Sequence, residues 1–176
     1  MRLTWAEIDV CAMQHNLELI RETVKPSQVI AIVKANAYGH GIIRTARIAV
    51  DSGVPYLGVG FLEEGLLLRR RGFKVPILVL GGLLFHQVQD FIVNKLDITV
   101  SSLGLAYAVN KEAEALGKVA RIHLKFDTGF NRIGMHYSRA ADIFERLVPL
   151  KHIEVIGIYS HSPILMNPSP ATPTSR

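Results

Sequence analysis

Short apolar runs rich in β-branched residues alternate along this chain with amphipathic segments, and this alternation restricts the possible folds more than any other feature. The length of the apolar runs and their content of β-branched residues predict buried strands at residues 29–33, 56–60, 76–80, 97–100, 119–126 and 153–159. Apolar spacings of three and four predict helices at residues 10–24, 41–52, 62–71, 84–94 and 103–116, and a last one that we expect Ser138 to cap. Strands that alternate with helices indicate an α/β fold built on a parallel sheet.

Such a sheet is either open and doubly wound or closed into a (β/α)8 TIM barrel, and the fifth predicted strand favours the barrel. Its second face is polar, with alternate positions occupied by Arg121, His123, Lys125 and Asp127. A polar face inside a parallel sheet fits a barrel whose lumen holds a site. No G-x-G-x-x-G follows the first strand, so the dinucleotide site of doubly wound folds has no support. We predict a partial barrel with about six of the eight strands.

The predicted barrel segment occupies residues 1–162, and residues 163–176 are predicted to be a disordered tail. The tail holds four of the eight prolines and shows no apolar periodicity. A hydrophobic content of 49% with 20% charged residues excludes a chain that is disordered throughout. The longest nearly apolar run, residues 75–85, is too short for a membrane span, which takes about 20 residues.

The remaining compositional features indicate a cytoplasmic protein without nucleic-acid or metal partners. Glu7 and Asp9 stand where a signal peptide has its apolar region. The single cysteine, Cys11, cannot form an internal disulfide, and we expect it to be a small buried hydrophobe rather than a catalytic residue. The one basic cluster, at residues 69–71, opposes a helix dipole, as do the glutamates 63 and 64 at the start of that helix. No aromatic platform accompanies the basic residues, and the seven histidines lack metal-ligand spacing.

Lys34 is the first candidate for chemistry, because it ends the first predicted strand. Barrel enzymes place their active sites at this end of the strands. Partial desolvation makes a lysine amine there a better nucleophile or base, although a strand-end lysine also commonly extends its ammonium group to water. The following residues contain two glycines and Tyr38, which offer backbone N–H groups and a hydroxyl to an anion.

Three segments resemble one known family. Residues 33–41, V-K-A-N-A-Y-G-H-G, resemble the cofactor-attachment signature of the bacterial alanine racemases. Residues 123–134, H-L-K-F-D-T-G-F-N-R-I-G, are similar to the family's H-L-K-x-D-T-G-M-x-R-x-G segment, and residues 157–161, G-I-Y-S-H, to its G-x-x-[ST]-H segment. The resemblance runs in one register from about Leu3 to His161 and stops at Ser162. Family members go on to complete the barrel and add a C-terminal β-domain, which we expect this chain to lack.

The resemblance implies pyridoxal 5′-phosphate as the cofactor and the interconversion of L-alanine and D-alanine as the reaction, which supplies D-alanine for the cell wall. Lys34 would form the Schiff base with the cofactor and then act as the base on one face of the α-carbon. Tyr38 would hydrogen-bond the cofactor phosphate. Arg132 would contact the phenolic oxygen of the cofactor and the carboxylate of the substrate.

Three further roles follow from the same resemblance. Lys125, which is carbamylated in many family members, would orient the arginine. His161 would belong to the hydrogen-bond network near the cofactor. Leu80 would pack in the cofactor pocket, or serve only as barrel core.

Family members are homodimers in which the opposite-face base, a tyrosine, comes from the C-terminal domain of the partner subunit. Most of the phosphate cradle and the arginine facing the pyridine nitrogen come from the last two barrel strands. Because these elements are not found in this sequence, we expect the chain alone to be inactive. Two alternatives remain open: a non-catalytic barrel protein that binds pyridoxal phosphate, and a basic interaction module without a cofactor.

Overall fold

A parallel sheet with the strand order β1-β2-β3-β4-β5-β7 forms the centre of the computed structural model, which describes residues 5–162. The strands are β1 Ile30–Ile32, β2 Tyr56–Val59, β3 Ile77–Val79, β4 Asp97–Val100, β5 Ala120–Asp127, β6 Met135–His136 and β7 Ile153–Tyr159. Strand β6 adds two residues beside the end of β5. The predicted α/β fold and all six predicted strands are confirmed, and β6 was too short to be predicted.

Helix α1 Val10–Thr23 precedes β1, and α2 Lys34–Tyr38, whose interior residues are left-handed, follows it. The other helices lie between consecutive strands, at α3 Ile42–Asp51, α4 Leu62–Arg70, α5 Val88–Val93, α6 Leu103–Ala115 and α7 Ala140–Leu147. Helix α7 has Arg139 at its N-cap, so the prediction that Ser138 caps this helix is wrong. A 3₁₀ turn over Tyr137–Arg139 precedes α7 and moves its start past Ser138. The Ser138 hydroxyl is paired instead with Nδ1 of His136 at 2.7 Å.

The core lies on both faces of the central strands. Every residue of β3 and β4 is buried, which explains why β3 is a continuous apolar run, whereas β4 also buries the polar residues Asp97 and Thr99. Helix side chains cover the outer face, including Leu68, Phe91 and Val109. Each such side chain contributes about 1.5–3 kcal/mol by leaving water. A rigid layer of strands and helices therefore supports the strand ends where the predicted site residues lie.

Helix α1 lies at the margin of this core, and none of its residues is buried. Its apolar stripe is only half-covered, with Leu17 packed against the core and Ile20 exposed. The prediction that Cys11 is buried is wrong, because its side chain is exposed. Cys11 lies next to Val10 and therefore points about 100° away from the apolar stripe.

Strands β1 and β7 form the two edges of the sheet within the described residues, since β1 pairs there only with β2 and β7 only with β5. The barrel is therefore open between them. Ile30, Ile32, Val155 and Ile158 on these strands are exposed. Residues 163–176, for which we predicted disorder, lie outside the described residues. Across residues 5–162, no helix has the length and apolarity needed to cross a membrane.

Candidate active site

A cavity of about 850 Å³ opens at the C-terminal ends of the strands. Its wall contains all six predicted site residues, namely Lys34, Tyr38, Leu80, Lys125, Arg132 and His161. They converge because parallel strands end at a common rim, where barrel enzymes build their sites. The volume lies in the range of about 300–1,000 Å³ that is typical of small-molecule sites.

The chain leaves β1 through an unusual left-handed turn directly after Lys34. Ala35, Asn36, Ala37 and Tyr38 all have positive φ angles, between 51° and 54°. This conformation is unfavourable by about 1–2 kcal/mol per residue for L-amino acids, and it normally occurs at single positions. Strained backbone of this kind clusters at functional sites, where the surrounding structure holds it in place. The two glycines that follow, Gly39 and Gly41, also have positive φ angles, of 97° and 92°.

Two side chains hold this turn in place. The Glu64 carboxylate accepts the backbone N–H of Ala35 at 2.6 Å and that of Gly60 at 2.7 Å. The Asn36 side chain accepts the backbone N–H of Ile42 at 2.9 Å and so joins the turn to the first residue of α3. The sequence places Glu64 only in the first turn of a helix, beside an equivalent Glu63, and offers no signal that separates the two. Glu64 is therefore a site residue that sequence reasoning missed.

Tyr38 and Leu80 occupy different parts of the wall. Tyr38 lies at the rim with an exposed ring, so its hydroxyl is accessible to a ligand. Leu80 is half-buried beside β2, where a methyl group at Gly58 would lie 3.4 Å from its Cδ1. Leu80 thus belongs both to the cavity wall and to the packing of the lumen.

Lys125 is buried deep in the wall, and its Nζ lies 4.3 Å from the centre of the Tyr159 ring. Thr99 donates its hydroxyl proton to the carbonyl of Val79 at 2.6 Å, so the Tyr159 hydroxyl donates to Thr99 at 2.7 Å. This chain of bonds fixes the ring that supports the amine. Burial, followed by the positive charges of Arg132 and Lys34, lowers the pKa of Lys125. Its amine therefore loses a proton more readily than an ordinary lysine.

Arg132 and His161 share one aromatic contact, Phe130. The Arg132 guanidinium lies 4.7 Å from the centre of the Phe130 ring, and the His161 ring meets it edge-on at 4.5 Å. Asp127 anchors the intervening loop by accepting the backbone N–H of Gly129 at 2.9 Å and that of Asn131 at 3.1 Å. Phe130 is a second residue that sequence reasoning missed, since its ring is not chemically reactive.

A polar network crosses the lumen below the cavity. Tyr56 donates to the carboxylate of Asp97, which also accepts a hydrogen bond from Nε–H of Arg121 at 2.9 Å. Because the Tyr56 proton is engaged with Asp97, Nε2 of His123 donates to the Tyr56 oxygen at 2.8 Å. Burial raises the pKa of Tyr56 and lowers the pKa of His123, so both groups are uncharged near neutral pH. The unprotonated Nδ1 of His123 faces Gly157, where any side chain would overlap the ring.

Comparison with known proteins gives consistent matches over nearly the whole chain. A family model described as "Alanine racemase, N-terminal domain" matches residues 8–175, and so continues past Ser162, where the motif resemblance stops. The alanine racemase of Symbiobacterium thermophilum is 40% identical over 161 residues, which cover 92% of this chain and 43% of that protein.

Solved structures agree with these sequence matches. A structure of alanine racemase from Clostridium difficile 630 aligns with a TM-score of 0.85 at 35% identity, over 92% of this chain and 43% of that one. A histidine racemase from Leuconostoc mesenteroides aligns with a TM-score of 0.81 at 25% identity, over 87% of this chain and 41% of that one. The chain thus spans less than half the length of each of these relatives.

Proposed function

The chain belongs to the alanine racemase N-terminal domain family, and from that premise we propose that it carries the cofactor-binding and substrate-binding part of a pyridoxal-phosphate-dependent racemase acting on alanine. The observation that carries the proposal is the cavity itself, in which Lys34 shares one wall with Tyr38, Lys125 and Arg132. Following the family, we propose a homodimeric, cytoplasmic enzyme whose product, D-alanine, serves the cell wall. We propose alanine as the substrate because most of the matched relatives are named as alanine racemases. One matched structure is named as a histidine racemase.

The residues of the cavity fit this cofactor. Lys34 and Arg132 give the wall two cationic side chains in addition to Lys125, and no carboxylate among the described residues lines it. Such a wall favours an anionic ligand, which a phosphorylated aldehyde and an amino-acid carboxylate both are. Tyr38 adds an accessible hydroxyl donor at the rim. Lys34 supplies the amine that a reactive aldehyde requires for covalent attachment.

Each side chain then has a distinct task. When bound, pyridoxal phosphate supplies the electron sink that makes the α-proton of an amino acid removable. Lys34 would hold the cofactor through Nζ and, once released, would take or return the α-proton on one face. The Arg132 guanidinium would bind the substrate carboxylate and the phenolic oxygen, while Tyr38 would donate to the phosphate. Leu80 would pack against the cofactor, and His161 would belong to the hydrogen-bond network near it.

We further propose that Lys125 is carbamylated. Its lowered pKa raises the fraction of neutral amine, which is the form that adds to carbon dioxide with the loss of one proton. The resulting carbamate is an anion, so it would turn the repulsion between Lys125 and Arg132 into an attraction and orient the guanidinium. Intact-protein mass spectrometry and carbonyl resonances in isotope-labelled bicarbonate test this, with Lys125→Arg as the variant that cannot be modified.

A second candidate function is pyridoxal-phosphate binding without turnover. Racemisation requires a proton acceptor on one face of the α-carbon and a donor on the other. Within residues 5–162 we assign Lys34 to one face only. We therefore expect at most trace racemisation by the 176-residue chain alone, since one positioned acid or base contributes about 10²–10⁴-fold. Robust D-alanine production by this chain would exclude the binding-only function.

Borohydride reduction of the chain in the presence of pyridoxal phosphate, followed by peptide mapping, tests the attachment site. We expect the reduced adduct on Lys34 and its loss in Lys34→Ala. Lys111→Ala is the matched control, because Lys111 is exposed on α6 and should not affect labelling. An adduct on another lysine, or equal labelling of Lys34→Ala, would contradict the assignment. Absence of any adduct or absorbance change would favour an interaction module without a cofactor.

A further inference from the structure

A second cleft, of about 500 Å³, lies at the opposite end of the sheet. It is formed where β3, β4 and β5 begin, and its lining residues include Arg69, Lys74, Lys95, Asp97, Lys118 and Arg121. The cavity that holds Lys34 lies at the other ends of the same strands. The two sites therefore use different residues, and the role of this cleft is independent of the racemase proposal.

Three lysines occupy equivalent positions around the cleft. Lys74 precedes β3 by three residues, and Lys95 and Lys118 precede β4 and β5 by two residues each. These strands are neighbours and run parallel, so their first residues lie along one rim. Adjacent strands are about 4.8 Å apart, which places the three strand starts within roughly 10 Å. The fold thus gathers lysines from three separate connections at one rim.

The cleft holds most of the excess positive charge of the protein. Five cationic side chains and one carboxylate line the cleft, which gives it four excess positive charges. The whole chain has a formal net charge of +5. The one carboxylate, Asp97, is already engaged with Arg121 and Tyr56. Within residues 5–162, no hydrogen bond or ion pair engages the ammonium groups of Lys74, Lys95 and Lys118.

The negative ends of α4 and α5 do not account for Lys74 and Lys95, because Arg69 already neutralises the nearby carbonyls. Its guanidinium donates to the carbonyls of Phe73, Val75 and Lys95, each at 2.8 Å, and to that of Asn94 at 3.0 Å. The carbonyl groups that follow α4 and α5 thus have a cationic partner. The three lysines remain available to a ligand from solution.

The rest of the wall strengthens an electrostatic site and narrows the ligand class. Its other residues are Pro76, Ile92, Leu96, Val119 and Ala120, which are apolar and contain no aromatic ring. Apolar walls with charge of one sign focus the electric field into a cleft. Because the wall offers no aromatic ring for stacking, a nucleobase would add little to the binding free energy of a ligand. We propose that this cleft binds a compact multivalent anion of the oligophosphate class.

Titration of the 176-residue chain with inorganic pyrophosphate at fixed physiological ionic strength, followed by backbone amide resonances, tests the proposal. We expect saturable shifts at residues 94–97 and 117–120. The variant Lys74→Gln/Lys95→Gln/Lys118→Gln should lose affinity by about tenfold or more. A matched control, Lys25→Gln/Arg44→Gln/Lys111→Gln, removes the same net charge from exposed positions elsewhere and should change the affinity by less than about twofold.

Several results would overturn the proposal. Equal losses of affinity in the two triple variants would mean that pyrophosphate responds only to net charge. Shifts confined to residues 34–39 and 132–134 would place the anion in the other cavity, and an absence of saturable shifts would exclude a site. Thermal unfolding followed by circular dichroism verifies that each variant is folded. The single variant Lys118→Glu, which reverses one charge at an exposed position, provides an independent test of the same loss.

Discussion

The carboxylate of Glu64 accepts the backbone N–H of Ala35 at 2.6 Å, so the first turn of α4 fixes the residue that directly follows Lys34. The second oxygen of the same carboxylate accepts the N–H of Gly60 at the end of β2. One side chain therefore connects the ends of two neighbouring strands. It stabilises the left-handed turn that presents the candidate catalytic lysine to the cavity.

We predict that Glu64→Ala lowers the free energy of unfolding by about 1–3 kcal/mol, because two backbone N–H groups lose a charged acceptor. Glu64→Gln should have an intermediate effect, since an amide offers one acceptor oxygen instead of two. Urea unfolding measures both changes. The rate at which pyridoxal phosphate labels Lys34 should fall in parallel, because the turn is less well held.

Glu63→Ala is the matched control for this pair of variants. Glu63 precedes Glu64 in the same helical turn, is exposed, and makes no side-chain hydrogen bond within the described residues. Its loss should alter stability by less than about 0.5 kcal/mol. Equal effects of the two alanine substitutions would mean that helix charge, and not the contact with Ala35, explains the result.

We predict that Gly157→Ala destabilises the protein by about 1–3 kcal/mol, because its methyl group would overlap the His123 ring inside the lumen. Removing the ring should relieve the overlap, so the double variant Gly157→Ala/His123→Ala should be less destabilised than the sum of the single variants. Gly104→Ala on α6 is the control, because open space surrounds that position. Additive effects of the two lumen substitutions would contradict the proposed contact.

The lowered pKa of His123 gives stability a specific pH dependence. The native ring stays neutral, while the ring of the unfolded chain takes up a proton as the pH falls through about 6.5. The unfolded state then binds more protons than the native state, so the free energy of unfolding falls as the solution is acidified below that pH. Urea unfolding at about pH 7.5 and about pH 5.5 should show this loss.

His123→Gln should remove part of the difference between the two pH values, because an amide does not titrate. His86→Gln, at an exposed histidine, should leave the difference unchanged. An unaltered pH dependence in His123→Gln would show that other groups cause it.

The exposed edges of β1 and β7 lead us to predict that the chain alone self-associates at micromolar concentration. Unpaired N–H and C=O groups on apolar edge strands are templates for pairing with another copy. Val155→Lys and Ile158→Lys place charges on the β7 edge and should weaken association about tenfold or more, as measured by size-exclusion chromatography with light scattering. Val148→Lys, at an exposed position just after α7, is the control. A monodisperse, cooperatively melting wild-type monomer would show that these edges are protected.

Strand β3 could be predicted because burial on both sides leaves a continuous apolar run, and β4 and β5 could be predicted from apolar residues at alternate positions. The wall residues of the cavity could be predicted because the motif around Lys34 and the one around Lys125 and Arg132 are local in sequence. The errors have a common cause. Whether Cys11 is buried depends on how far α1 packs onto the sheet. Whether Ser138 caps α7 depends on a turn that moves the start of the helix. Neither is encoded in the local pattern.

The sequence by itself determined the alternation of strands and helices and the residues able to do chemistry, because apolar periodicity and short motifs act within a few positions along the chain. Only the tertiary structure decided that Glu64 rather than Glu63 holds the turn after Lys34, and that Nε2 of His123 donates to Tyr56 while Tyr56 donates to Asp97. It also decided that three lysines before three different strands meet at one rim. These relationships join residues distant in sequence, and the register of parallel strands and the packing of helices on them set the distances between such residues.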